Sequence, residues 1–74
     1  MQEIKQFFIN IGKGHISEFD VDILSSGMID SVDIMNLVAE IEKYYNVEIS
    51  FDFIIPENFE SFIAIQNMID KVRI

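Results

Sequence analysis

The 74-residue chain carries 13 Asp and Glu against 5 Lys and Arg, a formal charge of −8, and half of it is hydrophobic. A chain this short holds one small core, so residues 1–74 are expected to form a single domain, and without cysteine it has no disulfide, no thiolate metal site and no thiol nucleophile. The negative balance disfavours nucleic acid and anionic membranes, and no apolar run reaches the roughly 18 residues of a membrane span.

The opening MQEIKQFFIN lacks a signal-peptide layout, so the expectation is a soluble, cytoplasmic protein with no membrane insertion. Within that stretch Ile4, Phe7, Phe8 and Ile11 recur at i, i+3, i+4 and i+7, which predicts a first helix from about Gln2 to Ile11. Gly12 and Gly14 bracket Lys13 and favour chain reversal. They do not make a phosphate loop, which needs Gly-Lys-Ser/Thr opening a helix.

Residues 15 to 30 read as a long connection with apolar anchors at Ile16, Phe19, Val21, Ile23, Leu24, Met28 and Ile29, packed against the helices. Its acidic run Glu18, Asp20, Asp22 is not a calcium loop. A loop starting at Asp20 has Ser25 where the turn glycine belongs and Ser31 where the bidentate Glu belongs. His15 has no second His or Cys to share a metal with and reads as a surface or half-buried structural residue.

The helical signal is strongest from Ser31 to about Tyr45. Ile34, Leu37, Val38, Ile41 and Tyr45 form a core-facing stripe, with Asp33, Asn36, Glu40 and Lys43 on the polar face. Val32, Met35 and Ala39 make a second apolar strip, either another core wall or an exposed surface. Where this helix begins, Gly27-Met-Ile-Asp-Ser-Val-Asp-Ile34 sets Ser31 between two aspartates, and both Asp and Ser are common helix caps. The local residues leave open whether Ser31 is a cap or a site of chemistry.

Asn46 can end this helix in a left-handed turn, and residues 51 to 55 read as a short helical turn that Pro56 breaks. Ser61 is the expected cap of the last helix, which buries Phe62, Ile65, Ile69 and Val72 with Met68 beside them. The sum is an all-α fold: a small antiparallel four-helix bundle of three principal helices and one short helix, with a long loop between the first two. One His, no Cys and no paired nucleophile and base argue against an enzyme.

With the elements in this order, the chain resembles an acyl carrier protein over essentially its whole length. Gly27-Met28-Ile29-Asp30-Ser31 is similar to that family's Gly-x-x-Asp-Ser-Leu motif, followed by Asp33, Leu37 and Ile41-Glu42-Lys43-Tyr44-Tyr45. Val47-Glu48-Ile49 and Pro56-Glu57-Asn58-Phe59 also look like carrier segments. The resemblance implies that Ser31, with Asp30 as the adjacent motif residue, carries 4'-phosphopantetheine taken from coenzyme A by a magnesium-dependent phosphopantetheinyl transferase. It also implies a non-catalytic monomer that holds acyl or aminoacyl groups as thioesters for fatty-acid or specialised biosynthesis. A loading ligase and downstream synthases or transferases with basic patches would dock on Val32, Asp33, Met35, Asn36, Ala39 and Glu40. The inner helix faces would leave a narrow apolar space able to shelter a chain, and Asp30 would serve as the cap, leaving Ser31 as the first helical residue.

Three positions depart from the family pattern. Val32 stands where Leu is commoner, and Asn36 and Lys43 where fatty-acid carriers usually bring acids, which favours a specialised pathway at least as much as the housekeeping one. The competing reading is an unmodified acidic helical adaptor that only binds protein partners.

From Gly14 through Glu42 there are seven carboxylates and no Lys or Arg. Moderate salt or divalent cations are therefore expected to raise the melting temperature by screening that repulsion. A thermal-unfolding series in increasing salt that shows no upward trend would contradict this.

Overall fold

The computed structural model describes residues 1–74 and contains three α-helices: α1 (Gln2–Asn10), α2 (Ser31–Tyr45) and α3 (Phe62–Val72). Helix α1 buries Ile4, Phe7 and Phe8, the face its spacing predicts. It stops one residue before the expected end, and Ile11 caps it. Gly12 follows at φ +82° and donates to Ile9 O at 3.0 Å, while Lys13 N donates to Phe8 O at 2.8 Å. These bonds occupy carbonyls that a helix end leaves without partners.

Residues 11–30 contain turns and bends but no helix. Ile16, Ile23 and Ile29 are fully buried, and Leu24 and Met28 pack against the core at its edge. Phe19 and Val21, expected as anchors, are instead 86% and 68% exposed. A tight turn explains Phe19: Asp20 N donates to Ser17 O at 3.1 Å, and the Asp20 carboxylate accepts from Ser17 N at 2.8 Å. Phe19 is left at the tip of that turn.

The loop is held by side chains that come from elsewhere in the chain. Lys5 Nζ donates to Gly14 O and to Ile16 O, the latter at 2.8 Å. On the other side Glu60 Oε1 accepts from Leu24 N and Ser25 N, each at 3.0 Å, and its second oxygen accepts from Ser25 Oγ. The Glu60 carbonyl also accepts from Ile23 N at 3.0 Å. The stretch leading into α2 is thereby tied to the residue just ahead of the α3 cap.

Helix α2 runs over the predicted residues and buries Ile34, Leu37, Val38 and Ile41. Asn46 ends it in the left-handed region, at φ 54° and ψ 51°. Glu42 then reaches forward to accept from Ile49 N at 2.9 Å, which seats Ile49 in the core.

The short fourth helix is not an α-helix. Two 3-10 turns occupy its place, at Phe51–Phe53 and Pro56–Phe59. Pro56 is the cause: its ring pushes the preceding residue into extended backbone, and Ile55 sits at φ −124° and ψ 151°. That residue separates the two turns, and Pro56 opens the second of them. The second turn delivers Phe59 to full burial. Helix α3 is capped by Ser61, whose hydroxyl accepts from Ala64 N at 3.1 Å, and it buries Phe62, Ile65, Met68 and Ile69. Val72, expected in the same row, is only partly buried at the core margin.

Phe8 and Phe62 stack with ring centroids 4.8 Å apart, joining α1 to α3 at the centre of an Ile- and Phe-rich core. Each such side chain, fully buried, contributes about 1.5–3 kcal/mol. No helix is long and apolar enough to cross a membrane.

Gly27 adopts φ +85° with no atom within 4 Å of where a Cβ would stand. A substitution there meets backbone strain and no clash. Gly27→Ala is expected to cost about 1–2 kcal/mol in urea unfolding, and Gly27→Asn less, since Asn tolerates this region. Equal losses for the two variants would contradict that assignment.

Candidate functional site at the start of α2

Asp30 has extended backbone, φ −126° and ψ −174°, and its Oδ1 accepts from Asp33 N at 2.9 Å. Asp33 reciprocates, Oδ2 accepting from Asp30 N at 3.0 Å. This is a capping box built from two aspartates. Ser31 is therefore the first residue of α2, exposed, with the capping role taken by its neighbour. Its hydroxyl stands at the positive end of the helix dipole.

Asp33 differs from the expectation. It is only 8% exposed and does not belong to the outer polar face, because its carboxylate turns back towards the cap. Lys13 meets it there: Nζ lies 3.5 Å from Asp33 Oδ2 and donates to Met28 O at 3.1 Å. One cation from the end of α1 thus enters the acidic block. The Asp33 N–H bond holds the Asp30 carboxyl below its ordinary value, with smaller help from the Val32 N–H and the Lys13 charge.

The second apolar strip of α2 is surface. Val32 is 65% and Met35 50% exposed, and Ala39 and Asn36 are exposed beside them. Glu40, at the far end, is half-buried and accepts from Asn10 Nδ2 at 2.7 Å. Ser31, Val32, Met35, Asn36 and Ala39 thus share an outward surface, with Glu40 at its margin against α1.

The inner faces of the helices are filled. Leu37, Ile41, Ile65 and Ile69 pack there without accessible surface to speak of. The two depressions present lie elsewhere. One, of about 530 Å³, separates α1 from the Ser17–Phe19 turn, and a smaller one of about 130 Å³ lies between α1 and the distal part of α2. Neither is lined by Ser31 or by those four side chains, and the inner faces are packed where a narrow apolar space was expected. His15 is exposed.

Two residues that organise this site were not singled out for it from the sequence. Lys13 offered one signal, a cation between two glycines at the edge of a long acidic block. Glu60 offered none, since its partners lie 35 and 36 residues away.

The Ser25 hydroxyl, followed by its N–H, holds the Glu60 carboxyl below its ordinary value, as Asp33 does for Asp30. Both carboxyls bind a proton less tightly in the folded chain than in the unfolded one. Their contribution to stability is complete above the ordinary carboxylate range and is lost as pH falls through the lowered folded values. Asp30→Asn and Glu60→Gln are each expected to flatten the acid limb of a stability curve measured by urea unfolding. An acid limb unchanged in both variants would refute this.

The sequence matches the family model described as "Phosphopantetheine attachment site" over residues 9–61, from the last two residues of α1 to the cap of α3. No curated protein and no solved structure matches it. The matched region takes in all of α2 together with the Lys13 and Glu60 contacts that hold its start, and the chain belongs to the phosphopantetheine attachment-site family of carrier proteins, whose prosthetic group is 4'-phosphopantetheine.

Proposed function

We propose that Ser31 is the attachment residue and that residues 1–74 act as a monomeric, cytoplasmic carrier that catalyses nothing itself. The observation that carries this reading is the pairing of Asp30 with Asp33, which completes the cap and leaves an exposed serine hydroxyl unused at the helix start. The residues fit the group: the hydroxyl is at the surface, and the N-terminal turn of α2 favours a phosphodiester placed beside it. When bound, 4'-phosphopantetheine supplies the thiol that this cysteine-free chain lacks, and acyl or aminoacyl groups ride on it as thioesters.

Val32, Met35 and Ala39, with Asn36 and Glu40 at their border, form the docking surface for the transferase, the loading ligase and the downstream enzymes. Asp33 contributes to docking through the cap it completes, since its charge faces inward. The remaining carboxylates guide encounter with basic patches on partners, and screened pairs of this kind raise association rates more than they tighten binding. A carrier that must leave each enzyme is well served by that balance. Asn36 and Lys43 reduce the acidity of the outer α2 surface and favour a specialised pathway at least as much as fatty-acid synthesis.

Incubation with coenzyme A, magnesium and a broad-specificity phosphopantetheinyl transferase, followed by intact-mass measurement, tests the assignment. Wild type is expected to gain one phosphopantetheine and Ser31→Ala none. The double variant Val32→Asp/Met35→Asp should fold, both sites being exposed, and be modified with a kcat/KM lower by about tenfold, the equivalent of 1.4 kcal/mol of docking. An unmodified wild type would leave the adaptor reading standing, and a modified Ser31→Ala would move the site to another serine.

A further inference from the structure

We infer that Lys13 is a positioning residue for modification of Ser31, an inference that rests on Ser31 being the attachment residue. Its backbone is fixed first. Lys13 N is bonded to Phe8 O, Gly12 turns through φ +82° just before it, and Ile16 N returns to Lys13 O at 3.1 Å. From that anchored position its partly exposed side chain crosses to the start of α2.

There Nζ engages two groups on opposite sides of Ser31: Met28 O at 3.1 Å, three residues before it, and Asp33 Oδ2 at 3.5 Å, two residues after it. Asp33 Oδ2 is also the oxygen that receives Asp30 N. One carboxylate oxygen therefore joins the end of α1 to the cap that immediately precedes Ser31. The capping box also sets two carboxylates against each other, and Lys13 sets a positive charge beside one of them, Asp33. Partly exposed pairs of this kind add little to global stability. What Lys13 adds is a fixed register for residues 28 to 33, and hence a fixed direction for the serine hydroxyl.

The transfer needs that direction. The Ser31 oxygen forms a bond to the phosphorus that carries the pantetheine arm of coenzyme A, the pyrophosphate P–O bond breaks, and adenosine 3',5'-bisphosphate leaves. The serine proton passes to a base on the transferase. A wandering hydroxyl lowers the fraction of bound carrier aligned for in-line attack, which slows turnover without weakening docking.

The test is steady-state transferase kinetics on Lys13→Met, Lys13→Arg and Lys71→Met beside wild type, with thermal unfolding and amide exchange of Asp30 and Asp33. Lys71 is exposed on α3 and its loss matches the change in charge. Lys13→Met is expected to lower kcat about fivefold with KM unchanged, to exchange the Asp30 amide faster, and to unfold within a few degrees of wild type. Lys13→Arg should recover most of kcat, and Lys71→Met should match wild type. A wild-type kcat in Lys13→Met, a loss confined to KM and shared with Lys71→Met, or no recovery in Lys13→Arg overturns the positioning role alone. A wild type that gains no mass overturns the carrier reading and this role with it.

Discussion

The reciprocal bonds between Asp30 and Asp33 set the geometry on which the start of α2 depends. Each aspartate accepts the backbone N–H of the other, so two donors that a helix start would leave exposed are satisfied at once. Three consequences follow from that one closure. Helix α2 begins at Ser31, the Ser31 hydroxyl is released from cap duty, and the Asp33 carboxylate is drawn inward to where Lys13 can reach it. An aspartate at position 33 that pointed outward would have added negative charge to the outer face of α2 and left the cap half made.

The core supports this end from a distance. A chain of 74 residues without cysteine depends on apolar packing, and Ile and Phe side chains supply it, with Phe8 stacked on Phe62 between α1 and α3. Such a core leaves the connection over residues 11–30 to be ordered by polar contacts. Lys5 and Lys13 hold it from α1 and the turn after it, and Glu60 holds it from the approach to α3. Three buried isoleucines pin it between those clasps. The loop is therefore a shaped part of the site, and its ordered end delivers Gly27 at the positive φ that turns the chain into α2.

Helix α2 divides its apolar residues between two tasks. One stripe, Ile34 to Ile41, closes the core, and the other, Val32, Met35 and Ala39, remains at the surface next to Ser31. Apolar surface left beside an exposed hydroxyl is what the proposed docking role of this strip draws on. The filled inner faces add a second point. Leu37, Ile41, Ile65 and Ile69 are buried without accessible surface to speak of, and neither depression reaches them.

The three helices, most of the residues they bury, the Asn46 stop and the Ser61 cap were legible in the sequence, because each follows from periodicity or from a side chain bonding its own backbone within a turn; Val72 and Tyr45, only partly buried, and Asp33, buried, were not. The motif around Ser31, set in an acidic and cysteine-free chain, was also legible, since its resemblance to a carrier motif needs no contact distant in sequence. Features that hang on partners distant in the chain came from the folded structure. Periodicity left the second strip of α2 open and only the resemblance placed Val32, Met35 and Ala39 outward, whereas the inward turn of Asp33 involves Lys13, 20 positions earlier. Glu60 finds Leu24 and Ser25 across 36 and 35 residues, a pairing that no local pattern encodes. Phe19 and Val21 have the hydrophobicity of anchors, yet the Ser17–Asp20 turn holds Phe19 outward and Val21 is left in solvent as well. Short-range bonding chemistry is written residue by residue, whereas the choice among apolar surfaces is made by whichever neighbours the folded chain brings against them.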